Sequence, residues 1–228
     1  MEKDNFTPRF NLSPASTTLN SKRKKGLRIS YLASSLQGFF LNSLDTGCNS
    51  QILTELLANN LNFKDNSSTI QSFEFLINEG DRSSYNIFLP FLVASKTAES
   101  FEINLRKRFL GIEQFINYGN NLYHFLKYIE STNTLSISTK DLHKGILGWD
   151  MGQLVCLVRA AQDKRLINKK KAWEYIELAS EKCNITFQCS NETYISFVIG
   201  YAMKTNKKED WKQLLECYKS IQELDETE

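Results

Sequence analysis

The chain has 228 residues, of which 41% are apolar and 24% charged, with 15 Phe and 9 Tyr; this mix fits one well-packed core and excludes disorder throughout. The net charge of +2 hides an asymmetry. Residues 1 to 28 hold seven Lys and Arg against Glu2 and Asp4, so they carry +5 and the remaining 200 carry −3, a body that is no electrostatic match for a polyanion.

Residues 1–26 read as a flexible basic tail. Ser, Thr, Asn and Pro dominate it, no helical or strand period appears, and Lys22-Arg23-Lys24-Lys25 closes it. From Leu27 to about residue 222 the pattern predicts one helical domain. Leu32, Leu36, Phe39 and Phe40 lie at i, i+4, i+7 and i+8, and Ile52, Leu53, Leu56 and Leu57 follow the Asp45-Thr46-Gly47 break. Asp65-Asn66-Ser67-Ser68 offers N-caps for a helix carrying Phe73, Leu76 and Ile77, which Gly80 is placed to stop. Arg82 to Val93 predicts another helix, kinked or divided at Pro90.

One helix is expected through Phe101, Leu105, Phe109, Ile112 and Ile116, and a second through Leu122, Phe125, Leu126 and Ile129. Glu130 to Lys140 reads as a loop. Asp150 with Gln153 has capping-box spacing, and Trp149 is placed to staple onto Leu154. Asn168 is the expected cap of the next helix, Ser190 starts another, and Asn206 with Glu209 starts the last. The expected architecture is all-α: a single irregular multi-helix domain of about seven to ten helices behind a flexible N-terminal tail.

Leu147-Gly148-Trp149-Asp150-Met151-Gly152-Gln153, then Arg159, then Ala172-Trp173-Glu174, then Tyr194 to Gly200 form the most recognisable block. A fainter element lies upstream, a leucine-bearing helix followed by Gly80-Asp81-Arg82. Together they resemble the bacterial family catalogued as domain of unknown function 1266, over about residues 27 to 222. Where that family's pattern carries Arg after the glycine, this chain has Gln153. The resemblance implies a small, mostly helical bacterial protein of the cytosol and implies no substrate.

Six residues stand out as ligand- or partner-binding candidates: Arg82, Trp149, Asp150, Arg159, Trp173 and Glu174. Each has a structural alternative. Asp150 suits an N-cap, the two tryptophans suit packing between helices, and Arg159 suits a charge-assisted bond to a carboxylate on a neighbouring helix, with Glu174 as one partner. No catalytic residues are assigned. His124 and His143 lack metal-ligand spacing, there is no phosphate loop or nucleophile elbow, and neither metal nor cofactor is expected. Five cysteines without a compact framework point to a reducing compartment, and a polar leader without an apolar core to a cytoplasmic chain outside the membrane.

The expected function is protein interaction, as an immunity or accessory factor that masks another protein. The alternatives are an enzyme or small-ligand protein with a pocket around Arg159, and nucleic-acid binding through the basic tail.

Overall fold

Helix α9 (Leu147–Asp163) is the hub of the molecule, with nearly every side chain from Gly148 to Ala161 buried. A computed structural model describes residues 10–14, 19–60, 66–95 and 97–227. In chain order the helices are α1 (Ser21–Arg28), α2 (Tyr31–Leu36), α3 (Ser50–Asn60), α4 (Asn66–Asn78), α5 (Arg82–Ala94) and α6 (Ala98–Arg108). They continue with α7 (Glu113–Thr132), α8 (Thr139–Lys144), α9, α10 (Lys169–Thr186), α11 (Ser190–Lys204) and α12 (Lys208–Thr227). Among the described residues there is no strand; the only β-type contact is an isolated bridge between Asn11 and Phe40.

Helices α10 and α11 flank α9, and α2, α3 and α4 cover the rest of it. α7 and α8 pack on α11, α5 and α6 pack on α7, and α12 returns to α2, so the described parts form a single helical domain. Small residues set the closest approach. A Cβ at Gly148 would lie 2.3 Å from the Thr193 carbonyl oxygen, and one at Gly200 would lie 2.3 Å from Trp149 Cβ, so glycine on each helix lets α9 and α11 meet nearly backbone to backbone. Gly26 does the same for α1, since its Cβ would meet Ile176 Cγ2 of α10 at 2.6 Å.

Several expectations change. The basic run is not part of a tail. Lys22 to Lys25 lie in α1, capped by Asn20, whose side chain accepts from the Arg23 amide at 2.9 Å, and held against α10 through buried Gly26 and Leu27. Farther upstream, Asn11 is tied to the loop after α2: its carbonyl accepts from the Leu41 amide at 2.9 Å and its side chain donates to Gly38 O at 2.7 Å. Residues 1–9 and 15–18 lie outside the described residues.

The helix expected through Phe39 and Phe40 stops at Leu36, and Gly38 at φ +70 turns the chain, so both aromatics sit in a loop. The helix expected from Phe101 to Ile116 breaks after Arg108, because Gly111 takes φ +82; Ile116 belongs to α7. Pro90 does not divide α5, which runs unbroken through it. Of the caps foreseen for α4, Asp65 lies outside the described residues. The short α8 had no apolar period to announce it, yet Ser138 and Asp141 form a capping box there.

Candidate functional site

Asp150 is not the N-cap of its own helix. Ile146 holds that position, and the Asp150 carboxylate, one turn in and 0% exposed, caps a different helix across the core. The Asp81 amide donates to Oδ1 at 2.8 Å and the Arg82 amide to Oδ2 at 3.3 Å, which satisfies the first backbone donors of α5. Arg82 closes the circuit. Its Nη1 donates to Asp150 Oδ2 at 2.7 Å and to Leu76 O at 2.8 Å, and its Nη2 donates to Ile77 O at 2.8 Å. One guanidinium thus stops α4 and anchors α9, while one carboxylate starts α5.

Gly80 makes this possible. It takes φ +62, and a Cβ there would lie 2.2 Å from Asp150 Oδ2. Next door, Asp81 receives Trp149 Nε1–H at 2.8 Å and the Lys204 ammonium at 2.8 Å. Lys204 also donates to Tyr118 Oη at 2.8 Å, while Trp149 packs on Phe197 and Tyr201. Asp81 and Lys204 were missed in the sequence because they are joined across 123 residues; the acid-base doublet Asp81-Arg82 after a glycine was the available signal.

Burial pushes the Asp150 carboxyl up to about 6, against the opposing pull of the Arg82 hydrogen bond and charge and of the Asp81 amide. Its ordinary value is 3.8, so between the two the folded chain holds the extra proton. The share of stability that comes from this group's extra proton is therefore full below about pH 4 and is lost as the pH rises to about 6, while the bonds that the carboxylate accepts remain. Urea midpoints measured at several pH values should show a wild-type minus Asp150→Asn difference that changes across this window and is flat above it. A difference independent of pH would contradict the assignment.

Arg159 lies elsewhere and has a different partner from the one expected. It is 0% exposed and makes no ion pair among the described residues. Its Nε donates to Leu44 O at 3.2 Å, Nη1 to Ser34 Oγ at 2.8 Å, and Nη2 to Phe40 O and to Asp45 O, the latter at 3.2 Å. Burial pulls the guanidinium down to about 10, so it stays charged at neutral pH. One turn on, Asp163 receives both the amide and the hydroxyl of Thr46, at 2.8 and 2.6 Å. Together Arg159 and Asp163 pin the 38–48 loop to α9. A guanidinium saturated in this way is unavailable to a substrate.

Trp173 and Glu174 are also not joined to Arg159. Trp173 is buried under the Arg23 guanidinium, 4.7 Å from its ring, and exposed Glu174 pairs with Lys171 at 3.2 Å. Lys169 and Lys170 of α10 thus come close to the basic run of α1, but acids are interleaved: Lys22 pairs with Glu177 at 2.7 Å and approaches Glu181 at 3.7 Å. This interleaving denies a polyanion a clean basic face.

An open trough of ≈ 520 Å³ runs beside the Asp81–Trp149–Lys204 cluster, between α4 and α9. Ser72 and Phe75 form its α4 wall, Trp149, Gln153 and Leu157 its α9 wall, and Asp81 with Lys204 its end. Phe75 is 48% exposed, and Gln153 lines the trough beside it. Among the described residues no group of three or more His, Cys, Asp or Glu stands together to hold a metal, and no helix is long and apolar enough to cross a membrane.

The architecture is that of an all-helical domain whose marked residues tie loops and helix ends to a central helix. A family model described as protein of unknown function (DUF1266) matches residues 57–226, and the chain belongs to that family. No curated protein and no solved structure matches it.

Proposed function

We propose that the chain is a non-catalytic partner-binding domain of the bacterial cytoplasm, and that it clasps a polypeptide segment in the trough between α4 and α9. The trough is the observation that carries this reading. Its α9 wall runs over Trp149, Gln153 and Leu157, at i, i+4 and i+8, or about 12 Å of helix, and it is open along that length. Neutral amides and hydroxyls, one exposed phenylalanine and a charged end suit a bound peptide or helix, in the manner of helix-in-groove recognition. The carboxylates beside it are already committed, Asp81 to Trp149 and Lys204, and Asp150 to Arg82 and two amides. Neither is poised as a general base. The five free cysteines support a reducing compartment, and masking of another protein's segment is the role this geometry fits.

The test is a photoreactive phenylalanine analogue placed at position 75 of the full chain, with the same group at Ile185, an 86% exposed side chain on α10, as control. In native lysate, position 75 is expected to yield one protein adduct of discrete mass that position 185 does not give and that Gln153→Trp, which fills the trough, abolishes. Identical adducts from both positions, or none from 75, would refute the reading.

A further inference from the structure

A second cleft of ≈ 520 Å³, sharing no lining residue with the trough, lies between α5, α7 and the segment that joins α7 to α8. Two independent features of its lining await a partner. The first is main chain. Leu135, Ser136 and Ile137 line the cleft, and neither their amides nor their carbonyls make a hydrogen bond among the described residues. Exposure alternates along this run: Leu135 and Ile137 pack on the core, while Thr134, Ser136 and Ser138 are exposed. That is the two-residue period of a strand, and a strand edge with no neighbour is a template for another chain.

The second feature is Ser95, at the end of α5. It lines the same cleft, and its Oγ is buried without a hydrogen-bond partner. Capping of α5 does not use this hydroxyl, since it is the Ser95 amide that bonds, to Phe91 O. A buried hydroxyl left unpaired is costly unless a bound group completes it.

The remaining lining defines the chemistry of that group. Leu92, Ile129 and Leu142, all buried, supply aliphatic surface. Lys127 and Glu130 are the charged side chains of the cleft, and they pair with each other at 2.7 Å, so a charged ligand finds no free counter-charge. We propose that the cleft binds an uncharged, extended segment of a partner polypeptide, which pairs as a β-strand with Leu135–Ile137 and seats an aliphatic side chain against Leu92 and Ile129. The Ser95 hydroxyl donates to a carbonyl of that segment. The run from Thr134 to Ser138 spans about 13 Å, which matches four or five residues of the partner.

The experiment is titration of the ¹⁵N-labelled full chain with the capped peptide acetyl-Val-Thr-Val-Thr-Val-amide and with two analogues of it, one N-methylated at its second and fourth residues and the other at its first, third and fifth. The parent peptide is expected to shift the amides of Leu135, Ser136 and Ile137 saturably, with a Kd below about 1 mM. Amides of successive residues in a strand point to opposite edges, so one analogue should bind as the parent does and the other at least tenfold more weakly. Ser95→Ala removes no hydrogen bond of the free fold and should weaken the parent about fivefold. The absence of saturable shifts, equal behaviour of the two analogues, or a Kd that Ser95→Ala leaves unchanged would overturn the proposal. So would shifts of the same amides on raising the concentration of the chain alone, which would make a second copy the occupant.

Discussion

Arg159→Ala is expected to abolish stable folding, or to lower the free energy of unfolding by about 3–5 kcal/mol, since each acceptor stranded in the interior costs about 1–3 kcal/mol. Three carbonyls and the Ser34 hydroxyl rely on that guanidinium; Leu44 O and Ser34 Oγ are buried, Phe40 O and Asp45 O are partly so, and the carbonyls belong to a loop with no helix or sheet to bond to. The loss is a large share of the total stability of a domain, about 5–15 kcal/mol. Arg159→Lys should rescue little, because one ammonium cannot reproduce a fork that reaches Leu44, Phe40 and Ser34 at once. Urea unfolding followed by far-ultraviolet circular dichroism measures both variants. A loss below about 1 kcal/mol in Arg159→Ala would mean that the loop does not depend on it.

Gly80→Ala and Asp150→Ala should each be severe, and should not add. Alanine at Gly80 costs about 1–2 kcal/mol for the left-handed backbone alone, and its Cβ collides with the Asp150 carboxylate. Asp150→Ala leaves the Arg82 guanidinium without its counter-charge and the α5 amides without an acceptor, at about 3–5 kcal/mol. In the double variant the collision is gone, so its total loss should fall short of the sum by at least about 0.5 kcal/mol, beyond the error of additive sites. The same urea transitions give the cycle. Strict additivity would show that Gly80 and Asp150 do not touch in solution.

The all-α class and the helices of the C-terminal half were legible because apolar residues recur there at helical spacing between recognisable caps. Asn168 is such a cap, its side chain accepting from the Lys171 amide at 2.9 Å. The N-terminal boundary was misplaced for a physical reason. α1 is basic on its exposed side and apolar only at Gly26 and Leu27, so eight residues give no period, and what holds it is contact with α10. Spacing does not reveal which partner a side chain crosses the core to meet. Asp150 looked like a cap and is one, for α5. Arg159 looked like half of an ion pair, and it binds carbonyls from residues 40 to 45, upstream of the family match at 57–226. The trough was illegible because its walls come from two helices 70 residues apart and its lining is mostly neutral.

Asp150 with Arg82, and Arg159 with Asp163, nail two loops to α9. Native-state hydrogen exchange on the intact chain tests it without any substitution. Phe39, Phe40 and Thr46 amides donate to Ser34 O, Thr46 O and Asp163, and the Asp81 amide to Asp150, so peptides covering 38–48 and 78–86 should retain deuterium protection comparable to α9. The 134–137 segment, where Leu135, Ser136 and Ile137 amides make no hydrogen bond among the described residues, should exchange within seconds as an internal reference. Exchange of 38–48 and 78–86 as fast as that segment would contradict the claim.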